Sequence, residues 1–353
     1  MSVVKRINGL LNGDKPEHPF VFGELRNIDL INELTGGDLR NADEETQLYL
    51  TALGHVRAGV NMCRSLMLPK WGLHDEDGHE VMWDGYLNWK PLGEMQYSYD
   101  ESLLIVRDMA KGKRPDDVAV MVEKHMEYRN KAQKVMGDDM FYMPHIGHAG
   151  LDEIYNVIGI ENFSYILADD PELIDAALEA HYETACARRD IILKCYDGPV
   201  IYSGDDLGMK DTTLFNPQWL KEKYFPRLKK LINGVHEHGV SVFYHTCGNV
   251  NAVLDDLIDV GVDFLNAIEW LSGMRLTDVR EQTKDKIVLH GNEDINKMVW
   301  GTPNDVRFET RRLLDEGGYK YMLPCYFPQG TNLENPYAWM DEVKKYSYNA
   351  NSQ

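Results

Sequence analysis

The residues in this chain best suited to hold a metal are His245, Cys247 and a distant cysteine, Cys325. His245 and Cys247 stand at the end of the apolar run Val240-Ser241-Val242-Phe243-Tyr244, which reads as a strand. Side chains two apart on a strand point the same way, so one imidazole and one thiol share a face. Cys325 closes a second strand-like run, Tyr319 to Pro324, and adds another thiol if the two strand ends meet in space. A His, Cys, Cys set with one position left for water or substrate is the ligation of a catalytic zinc. An isolated H-x-C is a weak signal, and Cys325 at the matching place in a later strand strengthens it.

Other polar side chains gather where strand-like runs end. His145 and His148 follow Met140 to Pro144; Ser203, Asp205 and Asp206 follow Pro199 to Tyr202; Glu269 follows Val262 to Asn266; His290, Asn292, Glu293 and Asp294 follow Lys286 to Leu289. Each has a plainer reading. A strand-end aspartate commonly caps a helix, and His145 and His148, flanking a glycine, could cap the next one. Cys186 and Cys195 lie in one helical pattern, where a small buried hydrophobe is the default. Cys63 sits on a strand beside Arg64, which is no metal cue, and His181, His236 and His238 read as packing or surface residues.

The elements that would position these groups alternate. Strand-like runs begin near Phe20, Gly59, Met140, Pro199, Val240, Val262, Lys286 and Tyr319. Helical patterns cover Asp43 to Val56, Asp100 to Met109, Pro115 to Val135, Pro171 to Leu193, Pro217 to His238, Val250 to Val260, Pro303 to Glu316 and Glu334 to Tyr346. About eight strands alternating with helices predict an α/β chain, a (β/α)8 TIM barrel in which chemistry sits at the strand ends. A doubly wound sheet is the alternative. A short N-terminal helix precedes the first strand. Residues 71–98, aromatic-rich around Asp75-Glu76-Asp77-Gly78, read as an inserted hairpin on a single domain spanning 1–353.

Composition narrows the partners. A formal net charge of −20 argues against a nucleic-acid binder, since phosphates need lysine and arginine stripes. No run approaches a membrane span, and the polar start lacks the apolar core of a signal peptide. Five scattered cysteines fit a reducing compartment, so a cytoplasmic location is expected. A homo-oligomer is compatible with all of this.

The runs Ser203-Gly204-Asp205-Asp206-Leu207-Gly208, Phe215-Asn216-Pro217, Phe225-Pro226-Arg227-Leu228-Lys229 and His236-Glu237-His238-Gly239, leading into His245-Thr246-Cys247-Gly248-Asn249, resemble the uroporphyrinogen decarboxylase superfamily. Gly261-Val262-Asp263, His290-Gly291-Asn292-Glu293-Asp294, Gly301-Thr302-Pro303 and Thr331-Asn332-Leu333-Glu334-Asn335 continue the match in order. The Arg-rich F-R-Q-A-G-R-Y segment of the decarboxylases proper is missing around Val21 to Asn27. The chain instead looks like the cobamide-dependent methyltransferase branch, whose zinc motif is H-x-C with a distant Cys. His245, Cys247 and Cys325 match that motif, with Pro324-Cys325-Tyr326 replacing the more usual Gly-Cys.

The resemblance implies a single barrel and zinc-dependent transfer of a methyl group between an O-methyl, N-methyl or thiol compound and the cobalt of a corrinoid. The corrinoid would come on a partner protein or free, since no cobalamin-carrying D-x-H-x-x-G motif is present. Glu269 is expected as a displaceable fourth ligand or its neighbour. Asp205, Asp206, Asn292 and Asp294 are expected to orient substrate or ligands, and His145 is carried as a further catalytic candidate. Two other readings compete: a metal-independent decarboxylase with Asp205 or Asp206 as its acid, and a scaffold barrel with a purely structural zinc.

Overall fold

The structure is a computed structural model and describes residues 1–74, 80–89 and 97–348. Its strands are β1 (Phe20–Gly23), β2 (Met62–Cys63), β3 (Lys70–His74), β4 (Glu80–Gly85), β5 (Leu87–Trp89), β6 (Phe141–Tyr142), β7 (Val200–Gly204), β8 (Ser241–His245), β9 (Phe264–Ile268), β10 (Val288–Gly291) and β11 (Tyr321–Cys325). All eight strands expected from the alternation are present, with helices between them, and the chain is α/β. The pairs β1–β11, β1–β2, β2–β6, β7–β8 and β8–β9 are parallel.

The chain divides into two compact units, one of residues 1–94, 129–143 and 290–353, the other of residues 95–128 and 144–289. In the first, the strand order is β6-β2-β1-β11, and β1 and β11 are buried along their whole length. Unbroken apolar burial is what a parallel strand covered on both faces requires. The same unit holds a three-stranded antiparallel sheet, β3-β4-β5, where the hairpin was expected. Its expected turn, Asp75 to Gly78, lies outside the described residues. In the second unit β7, β8 and β9 lie side by side, and Val288, which opens β10, donates its N–H to the Asp263 carbonyl. Tyr202, Phe243 and Phe264 pack ring to ring beneath their C-terminal ends.

Local chemistry sets the helix boundaries. Asp43 accepts the Thr46 N–H at the start of Glu44–Ala58, which Gly59 ends in a left-handed turn. Thr302 and Asp305 form a reciprocal cap around Pro303. Five shorter helices, Ile28–Thr35, Leu151–Ile158, Ile160–Asp169, Leu276–Thr283 and Ile295–Trp300, lie where no helix was expected. Each runs three turns or less, too short for a repeating apolar stripe to stand out. The helix expected over Pro217 to His238 also differs. Leu220–Tyr224 is a π-turn between Pro217–Trp219 and Phe225–His236, and the extra residue turns the Tyr224 hydroxyl onto Asp205. No helix among the described residues is long and apolar enough to cross a membrane.

Candidate metal centre

The C-terminal ends of β7, β8 and β9 are level: Gly204 pairs with His245, and His245 with Asn266. A Cβ at Gly204 would stand 2.6 Å from the His245 carbonyl oxygen and 2.9 Å from its Cβ, so glycine is what lets the histidine sit there. Asn266 Oδ1 lies 2.5 Å from His245 Nδ1. An amide oxygen can only accept, so Nδ1 carries a proton, and in the neutral ring Nε2 presents the lone pair. That lone pair faces Cys247 Sγ at 3.4 Å and Asp206 Oδ1 at 3.5 Å. The three ligand atoms all lie within 4.8 Å of one another.

The loops behind this cluster are tied down. The Cys247 N–H donates to Asp206 Oδ1 (2.9 Å), and the Leu207 N–H to Thr246 Oγ1 (3.0 Å). Gly208 and Gly248 let two backbones touch, since a Cβ on Gly248 would meet the Gly208 carbonyl carbon at 2.3 Å. Gly248 is also left-handed, with φ +80°. Its N–H donates to Glu269 Oε2 (3.0 Å), which also accepts the Ser272 hydroxyl (2.6 Å). Glu269 is thus engaged by the turn that follows Cys247, and the carboxylate standing beside the His–Cys pair is Asp206.

Asp205 is buried behind its neighbour. Its oxygens accept the N–H groups of Ala149 and Asp152, both at 3.0 Å, and the Tyr224 hydroxyl at 2.6 Å. Tyr224 in turn lies 2.6 Å from the Tyr244 hydroxyl. Burial and the adjacent Asp152 carboxylate push the Asp205 pKa up, while the Tyr224 hydroxyl pulls it down. His148, Asp152 and Asp205 form a second group whose ligand-type atoms lie within 4.8 Å. His145 packs its ring on His148 (4.7 Å) and Tyr202 (4.9 Å), and its backbone N–H donates to His125 Nε2. Burial, then Asp152, Asp206 and Asp205, raise the Tyr155 pKa far above its ordinary value. Negative charge is therefore concentrated here, and a cation would offset it.

The remaining expected site residues belong to the first unit. Cys325 ends β11, is buried, and pairs with Gly23; burial, then Glu293, pushes its thiol up. Asn292 is buried with φ +69°, and its carbonyl accepts from Arg312 (2.7 Å). Asp294 caps Ile295–Trp300, and its N–H donates to Glu309. Both are built into the Arg312–Glu309 ion pair. Sequence reading missed Asn266, Asp152 and Tyr224. Asn266, a polar residue level with His245 in the next expected strand, was the one with a readable signal.

A lone-pair imidazole, a thiol and a carboxylate in one shell are a donor set that fits zinc. Comparison with known proteins adds the family. The chain shares 27% identity over 181 residues with a methylcobamide:CoM methyltransferase, MtaA, of Methanosarcina barkeri, covering 51% of each chain. With the methylcobamide:CoM methyltransferase MtbA of Methanosarcina mazei it shares 30% over 129 residues, 36% of this chain and 37% of that one. The chain thus spans about half the length, or less, of the curated relatives it matches. Its fold is like that of a methyltransferase from Methanosarcina mazei, with a TM-score of 0.70 at 16% identity over 98% of this chain and 99% of that one. The family model for uroporphyrinogen decarboxylase (URO-D) matches residues 104–346, well over half of the sequence, and the chain belongs to that family.

Proposed function

We propose that this chain is a zinc-dependent methyltransferase that moves a methyl group between a small methylated compound or a thiol and the cobalt of a corrinoid on a partner protein. The observation that carries the reading is the Asp206, His245, Cys247 cluster with its imidazole oriented by Asn266. The corrinoid side of the chemistry is taken from relatives named for methyl transfer between methylcobamide and CoM. Zinc, when bound, supplies a Lewis acid for a thiolate or an ether oxygen.

The chain's own residues do the positioning. His245 offers Nε2 because Asn266 holds Nδ1–H, and such partners fix ligand orientation in metal sites generally. Asp206 holds the Cys247 backbone and faces the imidazole. Glu269, as a displaceable ligand or its neighbour, keeps the turn after Cys247 in place. Cys325 is proposed as the third ligand on the family resemblance. His145, Asp205, Asn292 and Asp294 are proposed to orient the site. A single (β/α)8 barrel, a cytoplasmic location and a homo-oligomer belong to the same proposal, the barrel resting on the strand–helix alternation. The decarboxylase alternative, with Asp205 or Asp206 as its acid, has less behind it: Asp205 is buried and takes up three protein donors, and Asp206 accepts the Cys247 N–H beside His245.

Metal analysis should find about one zinc per chain, strongly reduced in Cys247→Ala. Methylation of free cob(I)alamin should proceed from one member of a panel of O-methyl, N-methyl and S-methyl compounds, and only with zinc. Metal-free protein with full activity after Cys247→Ala would overturn the proposal. Cys325→Ala with undiminished zinc and transfer would remove Cys325 alone from the ligand set.

A further inference from the structure

The loop that follows β9 carries a cation with no counter-charge among the described residues. Arg275 lies over the face of Trp270, its guanidinium carbon 3.9 Å from the ring centroid. Its Nη1 donates to the Trp270 carbonyl (3.1 Å) and the Met274 carbonyl (3.0 Å). Among the described residues it has no ion pair, and its Nε and Nη2 donate to nothing. Arg57 and Arg188 likewise bond only backbone carbonyls among the described residues, while other arginines are paired. Arg227, Arg311 and Arg312 are all matched to carboxylates.

The place is as informative as the charge. β7, β8 and β9 are parallel, so the loops leaving their C-terminal ends share one edge. Ligands of parallel α/β sheets bind at that edge. The loop from Glu269 to Arg275 is also bonded to the turn that bears Cys247. Glu269 accepts the Gly248 N–H, the Asn249 amide donates to the Ser272 carbonyl (2.9 Å), and the Met274 N–H donates to the Glu269 carbonyl (3.2 Å). A guanidinium held by a ring face and two carbonyls has given up its rotamer freedom before any ligand arrives. The donors it leaves unused form one side of the planar fork that suits carboxylate or sulfonate oxygens.

We infer that Arg275, stacked on Trp270, is the recognition point for a carboxylate or sulfonate on the small compound that enters this site. The inference rests on the methyl-transfer reading for what the compound does, and on the geometry alone for the binding. It also sets a positive contact at the rim of an otherwise acidic site, so a neutral compound would lack one of its anchors.

The test uses matched pairs differing only in the anion, namely 3-mercaptopropionate against 3-mercaptopropanol and 3-methoxybenzoate against 3-methoxybenzyl alcohol, titrated calorimetrically into the zinc-loaded protein. Wild type should favour the acid of at least one pair by about tenfold or more, the worth of one charged hydrogen-bonded contact. Arg275→Ala should erase that preference, Arg275→Lys should keep part of it, and Trp270→Leu should weaken it by freeing the guanidinium. No preference in wild type, or an undiminished one in Arg275→Ala, overturns the inference. If Arg275→Ala fails to fold, the lysine and Trp270→Leu variants read the same ratio. Loss of acid binding in Arg275→Ala, without methyl transfer to or from any cobalamin in wild type, upholds the anion site and sinks the methyl-transfer reading.

Discussion

His245 would be an ambiguous ligand by itself, since either ring nitrogen can bind a metal. Asn266 removes the ambiguity by taking Nδ1–H, which leaves Nε2 aimed at Cys247 and Asp206. A similar economy holds in the first unit, where two buried titratable groups make stability depend on acid. Burial raises the Glu24 pKa, but Arg64 and Arg26, at 2.9 and 2.6 Å, outweigh it and hold the carboxyl at about 2. His55 is buried with Nδ1–H given to the Thr51 carbonyl and Nε2 accepting the Leu25 N–H, so it must be neutral, and burial lowers its pKa to about 4. Both folded values lie below the unfolded ones, so below those unfolded values the unfolded chain binds more protons and acid destabilises. From pH 6.5 down to 4 the His55 contribution, about 3 kcal/mol, should disappear, and between pH 4.5 and 2 a similar amount from Glu24. Urea midpoints measured across this range should fall steadily with pH. A midpoint unchanged between pH 7 and 4 would contradict the neutral buried His55.

The site is an affair of elements as much as of ligands. Three parallel strand ends, level at Gly204, His245 and Asn266, bring the imidazole and its orienting amide together. The absence of a side chain at Gly204 is part of that arrangement. Gly204→Ala should displace His245, costing about 2 kcal/mol in thermal unfolding from overpacking and lowering zinc content together. Normal zinc content in a folded Gly204→Ala protein would show that the strand-end register is not what places the ligand. The π-turn Leu220–Tyr224 acts at the same scale. By shifting the helix one residue out of register it delivers a hydroxyl to buried Asp205, whose backbone leads directly into Asp206.

For the molecule as a whole, the open question of consequence is whether the two units unfold together. A single barrel predicts one cooperative transition in calorimetry, with calorimetric and van't Hoff enthalpies equal. Zinc bound to the folded chain should raise that transition, by about 2.7 kcal/mol at a hundredfold excess over its dissociation constant, and a chelator should lower it again. Two resolved transitions, with zinc moving one of them, would reject the single-domain reading of residues 1–353.

Much of this was legible in the residues. Short, mostly apolar runs between helical patterns marked all eight parallel strands, because a strand covered on both faces is buried throughout, as Val200–Gly204 and Tyr321–Cys325 are. His245 and Cys247 could be put on one face from their spacing alone. Short helices such as Leu151–Ile158 escaped because two turns carry too little periodicity. Other things were decided only in three dimensions. Choosing Asp206 over Glu269 as the carboxylate at the cluster, giving His245 its Nδ1 partner, and leaving Arg275 without a counter-charge among the described residues all depend on which strand ends and loops stand side by side. Local sequence sets which way a side chain leaves its own backbone. What it meets there is set by strand register and by close approaches such as Gly204 to His245, and those are long-range properties of the folded chain.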